Sequence, residues 1–334
     1  MKPKTIVPLS DVDAEAARRR FGRVPRTSAV RVLPAGAAEA DWLAARRRGI
    51  GASEMAGVLG IRSAYHSPFS LWWSKQKGWE SPRSDAMYIG TLLEPVIGQL
   101  FTERYPDLMV CRPDGALWRH HAVEWMLATP DFLAVDGAGW VEPVECKSDE
   151  GGHWGSPGTA EVPEHHAVQV AQQCAVLGAP AGYVVRMAHK RLSVYRVPFG
   201  EAEAEAMAGW VEQGERFLGK LMLGTPPDPD EHAATDAALR RLWPDIDDGI
   251  EGEFGVSTAL VDDALIDAFE QAHDANAEAG VRLRLARNML RDRMGAARYA
   301  ARESSGVVAV ERRHYKVSGY TVAPHERDEL RRRT

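Results

Sequence analysis

The chain has 334 residues, of which 45% are hydrophobic and 26% are charged. This composition excludes collagen-like, disulfide-scaffold and wholly disordered proteins, and the length suggests about two domains. The three cysteines are too widely spaced for a zinc motif, and their odd number argues against a disulfide framework, so they predict a reducing, cytoplasmic setting. No apolar run reaches the ~18–20 residues of a membrane span, and the N-terminus carries no secretory signal.

Charge is distributed unevenly along the chain, although the net charge is only −6. Residues 201–280 hold 4 Lys/Arg against 20 Asp/Glu, whereas residues 281–334 hold 14 against 6 and residues 1–50 hold 11 against 5. Phosphate contacts depend on local basic surface rather than on total charge, so nucleic acid stays open as a partner. Taken alone, each charged run fits an ordinary solvated helix face better.

The first part of the chain reads as an N-terminal segment followed by helices. Residues 1–38 contain four prolines and little apolar periodicity, which predicts a flexible segment. A short helix follows around Trp42, and residues 49–60 read as a loop that opens into a helix with Ser53 as its N-cap. Apolar spacing of three to four predicts further helices at 67–75, 88–104, 164–177 and 200–223.

Between the helices the apolar period changes to two, which is typical of strands. Strands are predicted at 108–111, 116–118, 124–128, 132–135, 140–147, 183–187 and 192–197, with the first five as an antiparallel meander. The Gly137-Ala138-Gly139 turn predicts that residues 131–147 form a hairpin. Beyond Gly224, a linker at 225–236, a long helix over 258–303 and a hairpin at 307–322 are expected. The element order indicates a mixed α/β or α+β core.

The chemistry of the chain is concentrated around this hairpin. Residues two apart in a strand point to the same face, so Glu145 and Lys147 project together while Cys146 turns into the core. Asp131 is expected on the neighbouring strand or at its end, close to Glu145. Two carboxylates converging with a lysine are typical of a site for a hard divalent cation. Taken alone, the pattern fits an exposed cross-strand ion pair better.

Two further residues on the neighbouring helices favour the cation site over the exposed ion pair. Glu94 lies on the helix before the strands, and Gln169 lies on the helix after the hairpin, with Gln172 and Gln173 within one turn of it. Three acids, a lysine and a glutamine spread over helix, hairpin and helix therefore predict one shared pocket. Zinc is disfavoured, because no cysteine pair or H-E-x-x-H accompanies the histidines. No Walker motif or G-x-S-x-G occurs.

In these residues the sequence resembles the lambda-exonuclease/YqaJ-type viral recombinase nucleases of the PD-(D/E)xK superfamily. The blocks occur in the family's order over about residues 40–223. They are Trp42 with Arg46 and the Gly49–Glu54 run, Gly90–Glu94, Thr129-Pro130-Asp131, Glu145-Cys146-Lys147, and Pro163–His166 with Gln169 and Gln173. The chain departs from the family at His166, where tyrosine is frequent, and at Ile89, where an aromatic residue is usual.

The resemblance implies roles for the matching residues. Asp131 and Glu145 would bind metal, with Glu94 supporting it directly or through water. Lys147 would be the catalytic lysine, and Gln169 would orient the water, the lysine or the DNA end. Residues Arg46 and Ser53, joined by Thr129, would hold the 5′-terminal phosphate of the cut strand, which agrees with the bidentate grip of a guanidinium on phosphate.

The resemblance also implies a fold, an activity and partners. The fold is an α/β PD-(D/E)xK restriction-endonuclease-like core at 39–224, a mixed central sheet flanked by helices, with a helical and β-hairpin extension at 225–334. The activity is that of a Mg²⁺-dependent exonuclease, with Mn²⁺ substituting, acting 5′→3′ on linear double-stranded DNA. Its 3′ tails would pass to a single-strand annealing protein. A homo-oligomeric ring trimer encoded by a phage or prophage, in the cytoplasm of a bacterial host, is expected.

Two other functions remain open at this point. One is an endonuclease or Cas4-like end trimmer on the same core, although three scattered cysteines argue against an iron–sulfur site. The other is a non-catalytic DNA-end-binding protein, against which the intact acidic and lysine set argues. Trp79 and Trp154 are most often core residues by type, but each is also a candidate for stacking on a DNA end.

Overall fold

The computed structural model describes residues 7–8, 14–23, 25–79, 84–148, 151–243, 263–294, 299–301 and 308–311. The chain divides into two compact units, residues 1–242 and residues 243–334. Within the described ranges, every helix is too short or too polar to cross a membrane.

The first unit is a mixed α/β structure in which helices flank two sheets. Its described helices are α1 (Ala14–Phe21), α2 (Glu39–Arg47), α3 (Ala52–Val58), α4 (Pro68–Lys77), α5 (Asp85–Arg104), α6 (Glu164–Leu177), α7 (Glu201–Leu223) and α8 (Ala233–Leu242). Its strands are β1 (Val7–Pro8), β2 (Val30–Leu33), β3 (Ile50–Gly51), β4 (Met109–Arg112), β5 (Leu117–Arg119), β6 (Met126–Ala128), β7 (Phe132–Val135), β8 (Val141–Lys147), β9 (Ala181–Ala188) and β10 (Arg191–Pro198).

The larger sheet has the strand order β1-β4-β7-β8-β9-β10. Strands β7 and β8 are antiparallel, with Phe132 opposite Val144, so the predicted hairpin is confirmed. Strand β9 returns parallel to β8 after the crossover through α6, which is the connection that parallel neighbours require. The helices α5 and α6 pack against β8 and β9.

The predicted antiparallel meander is wrong in one respect, because its strands divide between two sheets. Strands β5 and β6 leave the larger sheet and join a smaller one of order β2-β5-β6-β3. There, β6 pairs in parallel with the two-residue strand β3 that leads into α3. The division brings the start of α3 close to the strand that precedes Asp131. Local alternation of polar and apolar residues cannot distinguish such partners, since both sheets present the same period.

Helix α5 lies unusually close to the larger sheet at Gly98. A Cβ atom added to Gly98 would clash with the ring of Phe132, the first residue of β7. Glycine is therefore required at this position, and it allows α5 to bring Glu94 towards the end of the hairpin. The helix passes through Pro95 in its interior, although the sequence favours that residue in the first turn or at a kink.

Two segments predicted to lack regular structure contain it in part. Within residues 1–38, β2 pairs with β5, and Thr27 Oγ1 donates a hydrogen bond to Leu177 O at 2.9 Å. Within and beyond the predicted linker at 225–236, α8 packs on α4, and Ser67 Oγ lies 2.6 Å from Thr235 Oγ1. The proposed domain limits at 38 and 224 stay predictions.

The second unit contains α9 (Asp263–Met294) and the strands β11 (Tyr299–Ala301) and β12 (Val308–Glu311), which pair antiparallel. The long predicted helix is present, but its expected end at residue 303 is wrong, because 299–301 is a strand. Of the expected hairpin at 307–322, residues 308–311 pair with 299–301, and residues 312–322 lie outside the described residues.

Candidate active site

The centre of the candidate site lies where β7 begins and β8 ends. Asp131 precedes β7, and its Oδ2 accepts a hydrogen bond from the backbone N–H of Cys146 at 2.7 Å. This contact fixes Asp131 beside Glu145 across the hairpin, as the sequence predicts. The Cys146 side chain turns the other way into a hydrophobic cluster with Phe132 and Val144, which also agrees with the prediction.

Three side chains converge on the carboxylate of Glu145, which is only 5% exposed. Lys147 Nζ donates to Oε1 at 2.8 Å, Gln169 Nε2 donates to Oε1 at 2.6 Å, and Gln173 Nε2 donates to Oε2 at 2.7 Å. Lys147 Nζ also donates to Gln169 Oε1 at 3.1 Å. The structure therefore joins Glu145, Lys147 and Gln169 by hydrogen bonds and places Asp131 beside them.

Glu94 belongs to the same electrostatic group without a hydrogen bond to it among the described residues. Burial and the charge of Glu145 raise the pKa of Glu94. Burial, followed by the charges of Glu145 and Glu94, raises the pKa of Asp131 well above its usual range. Burial by itself lowers the pKa of Lys147, but the charges of Glu145 and Asp131 outweigh it and raise that pKa.

The donor set fits a hard divalent cation by its chemistry. Its three carboxylates repel one another and share one ammonium group, so a bound cation would relieve the excess negative charge. In the described ranges, no group of three or more His, Cys, Asp or Glu side chains is arranged to hold a metal ion on its own. Mg²⁺ does not need such a group, because it keeps several waters and uses one or two protein carboxylates.

A second cluster surrounds the turn from α2 to α3. Arg46 Nη2 lies 3.0 Å from Glu54 Oε1 and donates to Ser53 Oγ at 3.4 Å. The Arg46 guanidinium also lies over the Trp42 ring, 4.7 Å from its centroid. The prediction of Ser53 as N-cap is wrong: Gly51 is the N-cap of α3, and Ser53 is an exposed residue inside the helix.

A buried lysine from α4 holds this second cluster together. Lys75 Nζ donates to Arg46 O at 3.1 Å, to Gly49 O at 2.8 Å and to Glu54 Oε2 at 2.8 Å. Its side chain is only 4% exposed. Burial raises the pKa of Glu54 on its own, but the charges of Arg46 and Lys75 outweigh it, so the pKa is lowered. Glu54 is therefore an anion between two cations.

A cavity of about 580 Å³ opens beside this cluster, lined in part by Arg46, Ser53, Tyr65 and Trp79. Tyr65 also contacts α6, because its ring lies edge-on to His165, with the ring centroids 5.6 Å apart. Thr129 lies between the end of β6 and Asp131 and is half-buried. Among the described residues it makes no hydrogen bond to Arg46 or Ser53, so the structure does not bring it into their cluster.

Sequence reasoning did not single out Lys75 or Tyr65. Lys75 lies in an aromatic-rich helix, and its acceptors are backbone carbonyls more than 20 residues away, which leave no signal in the sequence. Glu54 stood in a matched block without an assigned role. Gln173 was recognised only as a block residue, although its i+4 spacing from Gln169 already places both on one helix face.

Two solved structures align with part of the chain. An alkaline exonuclease (LHK-Exo) from Laribacter hongkongensis is 19% identical and aligns over 61% of this chain and 97% of that chain, with a TM-score of 0.43. The same enzyme in complex with dAMP aligns over the same shares of the two chains, with 19% identity and a TM-score of 0.41.

A curated relative and a family model match the region that carries both clusters. The uncharacterized protein YqaJ of Bacillus subtilis (strain 168) is 33% identical over 140 residues, which is 41% of this chain and 42% of that protein. The chain thus spans less than half the length of this relative. The model of the YqaJ-like viral recombinase domain matches residues 41–183, which include Arg46, Asp131 and Lys147. Through residues 41–183, the chain is therefore similar to the YqaJ-like viral recombinase domain.

Proposed function

We propose that this chain is a metal-dependent deoxyribonuclease that degrades linear double-stranded DNA as a 5′→3′ exonuclease. The observation that carries the proposal is the cluster of Glu145, Lys147 and Gln169, joined by hydrogen bonds of 2.6–3.1 Å, with Asp131 held beside it by the backbone N–H of Cys146. A structural ion pair would need only Glu145 and Lys147. The additional acids Asp131 and Glu94 have raised pKa values, which means that the fold disfavours their charged forms. A purely structural role does not explain this energetic cost, whereas a functional site does.

Asp131 and Glu145 are the residues that would hold Mg²⁺ or Mn²⁺, with Glu94 as a third ligand or as the acceptor of a metal-bound water. When bound, such an ion polarises a phosphoryl oxygen and lowers the pKa of water, which supplies the nucleophile. Gln173 and Gln169 donate to opposite oxygens of Glu145, so they fix the plane of that carboxylate. The ligand set is therefore oriented before substrate arrives.

Lys147 supplies positive charge next to the scissile phosphate. Two acceptors, Glu145 Oε1 and Gln169 Oε1, orient its ammonium group and leave it one N–H donor. That donor can bind the attacking water or the phosphate oxygen on which negative charge increases in the transition state. Because the donor is held in place beforehand, it stabilises this charge without reorganisation during the reaction.

The cavity beside Arg46 gives the proposed enzyme its polarity. A 5′-terminal phosphate in this cavity would bind the Arg46 guanidinium and the Ser53 hydroxyl. Glu54 already pairs with Arg46, so a 5′-hydroxyl end does not leave the guanidinium without an anion. We therefore expect a preference of about tenfold, or about 1.4 kcal/mol, for 5′-phosphorylated ends.

Arg46→Ala tests this assignment, and Arg48→Ala is the matched control, because Arg48 is an exposed arginine at the end of the same helix. Initial rates are measured on 5′-phosphorylated and 5′-hydroxyl duplexes. Arg46→Ala should slow the phosphorylated duplex more and reduce the preference, whereas Arg48→Ala should retain it. Equal slowing of both duplexes by Arg46→Ala would show a general basic surface and remove this reason for 5′→3′ polarity.

The remaining parts of the proposal follow from the resemblance of the sequence. They are a PD-(D/E)xK core with the C-terminal extension, a homotrimeric ring, and a phage-encoded recombination role in which 3′ tails pass to a single-strand annealing protein. Production of 3′ tails follows chemically from 5′→3′ degradation of one strand of a duplex.

One assay distinguishes the proposed activity from its alternatives. End-labelled linear duplex and closed circular duplex are each incubated with the protein in Mg²⁺ or in EDTA. Mononucleotides from linear DNA alone, abolished by EDTA, are the expected result. Cut circles would identify an endonuclease, and binding of linear DNA without any product would identify an end-binding protein.

A further inference from the structure

Arg186 occupies the strand position next to the catalytic lysine candidate. Strands β8 and β9 are parallel, and Lys147 is the register partner of Arg186. Partner residues on neighbouring strands lie about 4.8 Å apart and point to the same face of the sheet. Arg186 is half-buried and therefore lies at the edge of the candidate site. Neither the sequence nor the proposed mechanism assigns it a role.

The Arg186 guanidinium is stacked on an aromatic ring from the loop that follows β8. Its Cζ lies 4.7 Å from the centroid of the Trp154 ring. The indole is itself fixed, since Nε1 donates to Gly151 O at 2.8 Å and the ring packs 5.5 Å from His166 and 5.2 Å from Tyr195. Trp154 is thus occupied by protein neighbours, which disfavours stacking on a DNA base and indicates a support for Arg186.

A ring stacked on a guanidinium contacts its face and not its edge. The N–H donors of arginine lie in the plane of the group, so a ring against its face does not cover them. The ring instead restricts the side chain to few orientations, which reduces the entropy lost when an anion binds. An arginine held in this way beside Lys147 is suited to bidentate binding of a phosphate.

We propose that Arg186, oriented by Trp154, binds a backbone phosphate of the DNA next to the scissile phosphate. The inference rests on the proposed function, because it takes DNA as the substrate. It adds a phosphate subsite on the β9 side of Lys147, whereas Asp131 lies on the β7 side. The strand being cut would then be bound on both sides of the reacting bond. Arg46 would bind its 5′-terminal phosphate, and Arg186 would bind a phosphate further along its backbone.

Salt dependence provides the first test. Equilibrium binding of the full-length protein to a short duplex is measured in EDTA over about 50 to 200 mM NaCl. Each phosphate contact adds about 0.9 to the slope of log affinity against log salt, so Arg186→Ala should lower that slope by about 0.9. Affinity at about 50 mM should fall about tenfold, as for a lost hydrogen bond to a charged group. Arg186→Gln gives the same reading if the alanine variant does not fold.

Three further variants separate charge from orientation. Arg186→Lys keeps the charge but not the planar donors, so the slope should be retained while affinity falls. Trp154→Leu should behave in the same way, because Arg186 remains charged but loses its support. Arg216→Ala, which removes an exposed arginine of α7 paired with Glu212, is the control and should change neither quantity.

Single methylphosphonate substitutions locate the subsite. Each of the first few phosphates of the cut strand is neutralised in turn, and binding by the wild type and by Arg186→Ala is compared. At one position beyond the scissile bond, neutralisation should weaken the wild type several-fold more than the variant. Equal weakening at every position, or an unchanged slope in Arg186→Ala, would overturn the inference while the nuclease proposal stands. If the wild type neither binds nor cuts DNA, both proposals are wrong.

Discussion

Replacement of His166 should remove a pH-dependent part of the free energy of unfolding. His166 is 0% exposed and packs against Trp154 and His165, 5.5 Å and 3.9 Å from their ring centroids. Burial, then the positive charges of Lys147 and His165, lower its pKa to about 2. In the unfolded chain a histidine has a pKa of about 6.5. Between those two values, unfolding therefore takes up one proton at this site.

The sign and size follow from proton linkage. Because the unfolded state binds the additional proton, stability increases with pH and is lost as pH falls below the unfolded pKa. Integration from pH 7 to pH 5 gives a loss of about 1.9 kcal/mol, close to one and a half times the 1.36 kcal/mol per pH unit of a fully linked proton. Any folded pKa below about 4 gives nearly the same loss over this interval.

Urea unfolding followed by tryptophan fluorescence measures this loss in the wild type and in His166→Phe between pH 5 and 8. Altered packing in the phenylalanine variant changes its stability by the same amount at every pH. The offset, which is the free energy of unfolding of the wild type minus that of the variant, should nevertheless fall by about 1.9 kcal/mol from pH 7 to pH 5. His153→Ala removes an exposed histidine and should show a constant offset. A constant offset for His166→Phe as well would refute a neutral, buried imidazole beside Lys147.

Two further predictions concern the carboxylate cluster and the cluster around Arg46. Lys147→Ala and Asp131→Ala should each reduce cleavage of linear duplex more than tenfold, because the lost group acts on the transition state. Binding of the duplex in EDTA should change less than about threefold in either variant. If Lys147→Ala retained a tenth of wild-type activity, the assignment would be contradicted. Lys75→Met should lower the free energy of unfolding by about 3–5 kcal/mol in urea, since it leaves buried Glu54 without one of its two cations. Lys77→Met, at an exposed lysine of the same helix, is the control, and an equal effect of both variants would show that Lys75 has no special role.

Elements with strong local signals were predictable from the sequence. The hairpin at 131–147 has a glycine-rich turn between alternating strands, and the helix at 164–177 ends at Gly178, which adopts the left-handed conformation with φ of 68°. These two elements carry Asp131, Glu145, Lys147 and Gln169. The convergence of the four residues could therefore be expected from local sequence patterns alone.

Features that depend on long-range pairing were not predictable in this way. The two-residue strand β3 exists only because β6 pairs with it, and the docking of α8 depends on contacts between Thr235 and Ser67. Ser53 looked like an N-cap because serine is a common one, yet the turn around Gly51 shifts the cap by two residues. The role of Lys75 is apparent only from the backbone carbonyls that it contacts in the folded chain.

Helix α6 relates the two clusters to each other through three glutamines. Gln169 and Gln173 are four residues apart on one face and both donate to Glu145. Gln172, on the adjacent face, donates to Ile50 O and to Leu127 O, both at 2.9 Å, and so joins β3 and β6 to the same helix. Since β3 leads directly into α3, the helix that positions the carboxylate cluster also positions Ser53 and Glu54. The separation between the proposed 5′-phosphate cavity and the proposed cleavage centre is thus set by one rigid element, so the choice of which bond is cut becomes a property of the fold rather than of a mobile loop.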